Sequence, residues 1–252
     1  MTVRSWGLVA AALVLAGCGG NAAARVSKTT PPHVTKARTC KPGLHRLGST
    51  RVAYAGVVQR PTRAYRRPGV AVFARFGLKN VNGVETVFGV TGAVLDRSCR
   101  ATWYRVQLPM RPNGASGYVR ARALWVTRVP TRIEVDVSAR RLTFFRRGRE
   151  VLHARIAVGS LATPTPIGRF YVNQRLIPSN PYGPFGPGAI GISAFSNVLT
   201  GWTQGGPVAI HGTNEPGSIG HAVSNGCIRL PNPVLRRLFH ATPAGTPVVV
   251  HP

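Results

Sequence analysis

A histidine and a cysteine, His211 and Cys227, lie sixteen positions apart in the segment HGTNEPGSIGHAVSNGCIRL, which is otherwise rich in small and turn-forming residues. A thiol attacks as its thiolate, and an unperturbed cysteine with a pKa of about 8.5 is mostly protonated at neutral pH. An imidazole within hydrogen-bond reach can take that proton and later return it to a leaving amine. The pair predicts a cysteine nucleophile with a histidine base, and the alternative is a surface loop that happens to hold a thiol.

The neighbouring residues indicate how the pair would be positioned. The apolar run PVAI predicts a short buried strand that ends at His211, so the histidine and Cys227 can meet across two adjacent strands. Gly226 lets the backbone before Cys227 approach a substrate, and the amides of Gly226 and Asn225 can then face a developing oxyanion. We expect His211 and these amides to favour the charged form of the thiol.

The motifs IHGT and SNGCIRL, with TPTPIGRF upstream, resemble the catalytic domain of L,D-transpeptidases, the YkuD-like family, over about residues 131–251. The resemblance implies that Cys227 is the nucleophile and His211 the base. It also implies that the backbone carbonyl of Gly212 orients the imidazole ring. No metal and no organic cofactor is implied.

The chain departs from the family pattern at Asn225, where the family usually has a second histidine. Asparagine can still donate a hydrogen bond, but a proton-transfer role would be lost or taken over by His221, which otherwise is an exposed loop residue. Arg229 matches a position that faces the cleft, where its guanidinium could hold a substrate carboxylate through two hydrogen bonds, and the alternative is a solvent-exposed arginine. Ser224 is a further predicted substrate contact.

Residues 176–206 are rich in Gly and Pro and contain several aromatic side chains. A long irregular segment in a compact domain is often a functional lid. On that interpretation Tyr182 and Trp202 contact the substrate. The alternative is an irregular strand pair whose aromatic side chains fill the core.

The predicted fold class is all-β. Short alternating strands between Gly, Pro and Asn turns predict a small antiparallel barrel over residues 50–129. The segment 103–124 resembles the closing hairpin of bacterial Src-homology-3-like domains, which would either bind wall peptide or only space the next domain. Residues 131–251 predict a β-sandwich with one short helix, in which Asn232 is the cap and Pro233 lies in the first turn.

The first residues predict export. Residues 1–18 combine Arg4, a short apolar run and small residues before Cys18, as in a secretory signal. The sequence LAGC resembles a bacterial lipobox, which implies a lipid on Cys18, and the alternative is a plain secretory signal cut elsewhere. Residues 19–49 are predicted to be a disordered tether. We therefore expect a monomer anchored outside the cytoplasm, at the outer face of the cytoplasmic membrane, in the wall or in the periplasm.

The charge fits that location. Thirty-three Lys and Arg against six Asp and Glu give a net charge of +27, but the basic residues are spread over the whole chain. Without a basic helix or an aromatic-interleaved basic motif, nucleic acid is not the expected partner. Lipid headgroups, anionic wall polymers and peptide carboxylates are. The sequence also lacks SxxK, GxSxG and HExxH motifs, which excludes the common serine and zinc hydrolase signatures.

Four cysteines allow an assignment by elimination. Cys18 is assigned to lipid and Cys227 to catalysis, which leaves Cys40 and Cys99. Two remaining cysteines in an exported protein most simply form a disulfide. The alternative is a mobile thiol at Cys40 and a small core residue at Cys99.

Taken with the resemblance, these features predict an enzyme that cross-links peptidoglycan stem peptides through a thioester on Cys227 and that a carbapenem-type β-lactam acylates. Water in place of the acceptor amine would make it an L,D-carboxypeptidase, and an amine on a wall protein could also accept the acyl group. The alternative from another class is a non-catalytic wall-binding lipoprotein.

Overall fold

The computed structural model describes residues 40–252, which form two large β-sheets, a small two-stranded sheet and one α-helix. The predicted all-β class is confirmed. The signal segment, Cys18 and most of the predicted tether lie outside the described residues. Within residues 40–252, no helix is long and apolar enough to cross a membrane.

The first sheet is antiparallel, with strand order β4-β3-β7-β6-β5-β2-β8 and with β1 paired to β5. Its strands are β1 (Gly43–Arg46), β2 (Ala53–Val58), β3 (Thr62–Arg67), β4 (Val70–Phe76), β5 (Val87–Leu95), β6 (Ala101–Gln107), β7 (Ser116–Arg120) and β8 (Leu124–Val129). Phe88, Val106 and Val119 are buried between them. Alternating apolar residues on one face explain this core, because successive side chains of a strand point to opposite faces.

The first sheet begins earlier than the sequence predicts. Strand β1 lies inside the predicted tether 19–49, and its Gly43 pairs with Leu95 of β5. The disulfide predicted from the cysteine count is present between Cys40 and Cys99, with Cα atoms 5.6 Å apart. A four-residue strand is too short to predict from its own pattern. Its pairing and the nearby disulfide hold it in place.

The second sheet carries the remaining long strands in the order β11-β10-β9-β18-β13-β14-β15-β17, and β12 and β16 form the two-stranded sheet. The elements are β9 (Thr131–Asp136), β10 (Arg141–Arg146), β11 (Arg149–Arg155), β12 (Val158–Gly159), β13 (Gly168–Leu176), β14 (Ala189–Phe195), β15 (Pro207–His211), β16 (Ala222–Ser224), β17 (Ile228–Arg229), α1 (Asn232–Ala241) and β18 (Pro247–His251). Two pairs of the eight-stranded sheet, β9 with β18 and β15 with β17, are parallel. The second parallel pair brings the two motifs of the sequence side by side.

Helix α1 covers the core of the second sheet through Leu235 and Leu238, both buried. The predicted role of Asn232 as the helix cap is wrong. The cap position is Pro231, Asn232 is the first helical residue, and its Oδ1 accepts a hydrogen bond from the amide of Thr213 at 2.8 Å. The side chain of Asn232 therefore bonds to Thr213, outside the helix, instead of capping the helix as the local pattern predicts.

The two sheets meet face to face through Tyr171 of β13. Its buried ring packs on Gly89 of β5, where a Cβ atom would come within 3.0 Å of the ring. Its hydroxyl donates to the carbonyl of Val87 at 3.1 Å. Gly89 is therefore required by close approach, and the first sheet is packed directly on the sheet that carries Cys227.

Candidate active site

His211 is the last residue of β15 and is only 4% exposed. Its Nδ1 donates to the backbone carbonyl of Gly212 over 2.6 Å, which leaves Nε2 as the nitrogen that can accept a proton. The ring of Phe185 meets the imidazole edge to face, with centroids 5.0 Å apart. These contacts fix the position and the tautomer of the imidazole before any substrate binds.

Burial lowers the pKa of His211 to about 4. The hydrogen bond to Gly212 opposes this shift, and the positive charge of Arg229 adds to it. The imidazole is therefore neutral at pH 7. A neutral imidazole with a free Nε2 can act as a general base.

Cys227 immediately precedes β17, the strand that pairs in parallel with β15. The register places His211 opposite Arg229, two residues after Cys227. Because residues two apart on a strand share a face, Cys227 and Arg229 lie on the face that His211 occupies on β15, and Cys227 directly precedes the strand next to that of the imidazole. The backbone amide of Ala209 in β15 forms a hydrogen bond with the Cys227 thiol. Cys227 is the free cysteine of the described residues.

The expectation that the thiol is already shifted toward its charged form is wrong. Burial raises the pKa of Cys227, although the Ala209 amide and the Arg229 charge oppose the shift. Both members of the pair are therefore neutral at rest. Proton transfer from sulfur to His211 must accompany attack, because neither group is charged in advance.

The turn before Cys227 is stabilised by hydrogen bonds of a buried hydroxyl group, that of Ser224. Ser224 is 2% exposed, and its hydroxyl donates to the carbonyl of Cys227 at 2.5 Å and accepts from the amide of Gly226 at 3.2 Å. The prediction that Ser224 contacts substrate is therefore wrong, since its hydroxyl is enclosed by the turn. Gly226 has a φ of +102°, which favours glycine, and its amide is already engaged. Asn225 is exposed beside it.

Arg229 extends toward Glu215, and Nη1 lies 2.6 Å from the carboxylate. Its side chain is 19% exposed, whereas that of Glu215 is 65% exposed. The Nε of Arg229 is buried and has no hydrogen-bond partner. The structure thus places this arginine against Glu215, where its charge affects the pKa values of both His211 and Cys227.

Cys227 lies in a cleft of about 540 Å³. The cleft is lined by Asn82, Gln174, Leu176, Ile177, Pro178, Phe185, Ala189, Gly191, Thr203, Gln204, Pro207, Val208, Ala209 and Cys227. The lining is mostly apolar, with amide groups at one side. Such a surface fits an extended peptide whose backbone needs hydrogen-bond partners.

Besides Ser224 and Arg229, the three other predicted substrate contacts lie outside that lining. Tyr182 is 84% exposed and Trp202 is 53% exposed, and His221 is also exposed. Within residues 40–252, none of the three is among the residues that line the Cys227 cleft. The segment 176–206 is not a simple lid either, because its residues 189–195 form β14, an interior strand of the second sheet.

Sequence reasoning missed the residues that position the site from a distance. Asn232 bonds to Thr213, and a side chain at Gly212 or Gly186 would collide with the Oδ1 atom of Asn232. The close approach of these two glycines explains why Phe185 can reach His211. A glycine directly after the predicted base was the available signal for such packing.

Among residues 40–252, no group of three or more His, Cys, Asp or Glu side chains could hold a metal ion. The residues around Cys227 instead supply a nucleophile, a base and hydrogen-bonding amides. Together they can perform acyl transfer through a covalent thioester.

Comparison with known proteins agrees with this chemistry. Residues 130–250 match the L,D-transpeptidase catalytic domain family, YkuD. The chain is 41% identical over 124 residues to an L,D-transpeptidase YkuD of Bacillus licheniformis, covering 49% of this chain and 67% of that protein. It is 40% identical over 123 residues to the Bacillus subtilis protein of the same name, again covering 49% and 67%.

A solved structure of an Enterococcus faecium L,D-transpeptidase mutant is 29% identical, with a TM-score of 0.38. The match covers 48% of this chain and 49% of that one, so the chain spans about half of the solved protein. The matches to the two Bacillus relatives cover 67% of the length of each relative. The chain therefore belongs to the YkuD family of L,D-transpeptidase catalytic domain proteins.

Proposed function

We propose that this chain is an exported cysteine transpeptidase that joins peptidoglycan stem peptides through a thioester on Cys227. The observation that supports it best is the state of His211, a buried neutral imidazole whose Nδ1 is bound to Gly212 and whose Nε2 is left to take a proton. Strand β17 pairs with β15, which carries His211, and Cys227, directly before β17, lies in a cleft large enough for a peptide.

In the first half of the reaction, the Cys227 proton moves to Nε2 of His211 as the sulfur attacks the carbonyl of the third residue in a tetrapeptide stem. The amide bond to the terminal D-alanine then breaks, and the imidazolium returns its proton to the leaving amine. The product is a thioester on Cys227. Positive charge from Arg229 and the Ala209 amide stabilises the developing thiolate.

In the second half, a side-chain amine of another stem attacks the thioester carbonyl. A new amide bond forms, the carbon–sulfur bond breaks, and the amine's proton passes through His211 to the sulfur. If water attacks instead, the product is a free tripeptide acid.

The location is part of the proposal. Lipidation at Cys18 and a tether ahead of residue 40 would hold the domain at the outer face of the membrane, within reach of wall peptide. The net charge of +27 would attract the protein to anionic wall polymers. The first sheet is proposed as a Src-homology-3-like module on the resemblance of its segment 103–124.

The test is incubation of the purified chain with disaccharide-tetrapeptide and analysis of the products by mass. A cross-linked dimer supports the proposal, a hydrolysed tripeptide would make the protein an L,D-carboxypeptidase, and unchanged substrate would contradict both. Cys227→Ala is the matched control and should form no product. A carbapenem-type β-lactam should add one adduct to the wild type and none to this variant.

A further inference from the structure

A second cavity adjoins the Cys227 cleft where the two sheets meet. We call it the seam cavity, and its volume is about 450 Å³. It is lined by residues 75–77 and 79–82, at the end of β4 and in the segment after it, by Asn173 and Gln174 of β13, and by Gln204 of the segment between β14 and β15, among others. Four residues line both spaces, namely Asn82, Gln174, Gln204 and Pro207. The cleft that holds the nucleophile therefore continues onto the first sheet.

The wall shared by the two spaces is a cluster of side-chain amides. Asn80 and Asn82 each donate to Oε1 of Gln174 at 2.9 Å, and Gln204 donates to Oδ1 of Asn82 at 2.9 Å. Gln204 has a φ of 57°, a conformation that costs energy for a residue with a side chain. The amide cluster across the two sheets holds it there.

The loop that carries Gln204 is fixed by a second set of contacts from the first sheet. Arg111 donates to the carbonyls of Ser196 and Gly205 at 2.5 and 2.8 Å. Asn113 both donates to and accepts from the backbone of Phe195, each over 2.8 Å. One side of the cleft is thus built by residues of the first sheet.

The chemistry of the seam cavity fits a peptide with a carboxylate. Arg75 and Lys79 bring two exposed positive charges to its rim, and Phe76 contributes apolar surface. Asn173 is a lining residue, and its Oδ1 is buried without a hydrogen-bond partner. Glu85, which faces Lys79 in an isolated β-bridge, is the acidic neighbour.

We propose that the seam cavity is a second peptide subsite, which holds a carboxylate-bearing segment of the peptide whose reacting carbonyl lies at Cys227. The proposal rests on the proposed function, because it extends the same substrate beyond the catalytic cleft. Amides along the shared wall bind the peptide backbone between the two spaces, and the charges of Arg75 and Lys79 attract its carboxylate. The first sheet is then part of the substrate site.

Equilibrium binding tests this without turnover. Disaccharide-tetrapeptide is titrated into Cys227→Ala and into the same variant with Arg75→Ala and Lys79→Ala added. Removing both charges should raise the dissociation constant roughly fivefold or more, since exposed charge pairs are worth up to about 1 kcal/mol each. The control adds Arg60→Ala and Arg67→Ala instead, which removes the same charge from exposed positions outside the lining.

A second ligand separates a specific contact from general attraction by a basic protein. A tetrapeptide with amidated carboxylates should bind the Arg75/Lys79 variant and its parent equally. Asn82→Ala, which opens the shared wall, should weaken binding of both peptides. Equal affinity in the parent, the charge variant and the control, or no binding to the parent, overturns the subsite.

A separate measurement tests the proposed function. Carbapenem acylation needs only Cys227 and His211, so the Arg75/Lys79 substitutions in a chain with Cys227 intact should leave its rate unchanged. Loss of peptide affinity with intact acylation supports both proposals. Acylation without any effect on peptide affinity overturns only the subsite. Failure of the wild type to be acylated or to process peptide overturns the function, and with it the subsite that extends the same substrate.

Discussion

The two large sheets are held together in different ways. Nineteen buried apolar residues form the core of the second sheet, and nine form the main core of the first. The first sheet has the disulfide between Cys40 and Cys99, while the cysteine of the second sheet is free. A small core needs a covalent constraint on the unfolded chain, whereas a large core can leave its thiol available for chemistry.

The same contrast runs through the active site. His211 and Cys227 are fixed by pairing of β15 and β17 within the second sheet. The opposite side of the cleft depends on Asn82 and Arg111, which lie in segments that connect strands of the first sheet, β4 to β5 and β6 to β7. Chemistry and substrate positioning therefore have separate structural supports, and substitutions can distinguish them.

The largest expected effect is on chemistry. His211→Ala removes the proton acceptor and should slow carbapenem acylation of Cys227 by about 10²–10⁴-fold, measured by intact mass against time. His221→Ala is the control, because that side chain is exposed and outside the cleft lining. Equal rates in wild type and His211→Ala would remove the histidine from the mechanism.

This part of the site is also the part that sequence predicts well. The apolar run before His211 and the glycine before Cys227 are local signals, and the structure places both residues on adjacent strands. The all-β class likewise follows from local alternation of apolar residues. Local patterns are sufficient where the positioning elements are themselves local.

The side of the cleft formed by Asn82 and Gln204 could not be predicted from local sequence patterns. Asn82 and Gln204 are 122 positions apart, and nothing in either neighbourhood indicates that their amides meet. Tyr182 and Trp202 were favoured as aromatic residues in a glycine-rich segment, yet both point away from the cleft lining toward solvent. Asn232 shows the same limit, since a local cap signal gave way to a partner on another loop.

Removing the disulfide should destabilise the first sheet and leave the chemistry intact. The bridge closes a loop with a sequence separation of 59, which corresponds to about 4 kcal/mol of free energy of unfolding on the chain-entropy model. Cys40→Ser with Cys99→Ser should lower the free energy of unfolding, measured by urea titration, by about that amount, and the urea midpoint should fall with it. Acylation of Cys227 under native conditions is the control and should not change. A loss of acylation with an unchanged midpoint would reverse the proposed division of roles.

The depressed pKa of His211 predicts a pH dependence of stability. Its pKa is about 4 in the folded protein and about 6.5 when unfolded, so the unfolded state binds the proton at higher pH. The free energy of unfolding should therefore fall by about 3 kcal/mol as pH drops from about 6.5 to 4. Below that range both states are protonated and the loss from this group is complete.

The matched variant for that measurement is His211→Gln, which keeps a polar side chain without the titration. Its free energy of unfolding should depend less on pH between 6.5 and 4 than that of the wild type, in urea titrations at each pH. The acylation rate of the wild type should fall near pH 4 rather than near pH 6.5, because His211 stays neutral between these two pH values. A midpoint near 6.5 would mean that the imidazole is solvated and not buried.

The smallest expected effect is on the loop that the first sheet holds. Arg111→Ala removes two charge-assisted hydrogen bonds to the carbonyls of Ser196 and Gly205. If the loss amounts to about 2 kcal/mol, local opening of residues 196–206 becomes roughly thirtyfold more frequent. Exchange of the Ser196 amide, which donates to the carbonyl of Gly206, should speed up by that factor.

The global unfolding midpoint should move little, because the core of the second sheet does not include this loop. Arg122→Ala, at an exposed position between β7 and β8, is the control and should leave the exchange rate unchanged. Carbapenem acylation should also stay near the wild-type rate, since Cys227 and His211 are fixed by β15 and β17. Peptide turnover should fall, because Gln204 would lose the fixed position from which it borders the cleft. A joint fall of acylation and peptide turnover would mean that Arg111 also fixes the positions of His211 and Cys227. The proposal that chemistry and substrate positioning depend on different parts of the structure would then be wrong.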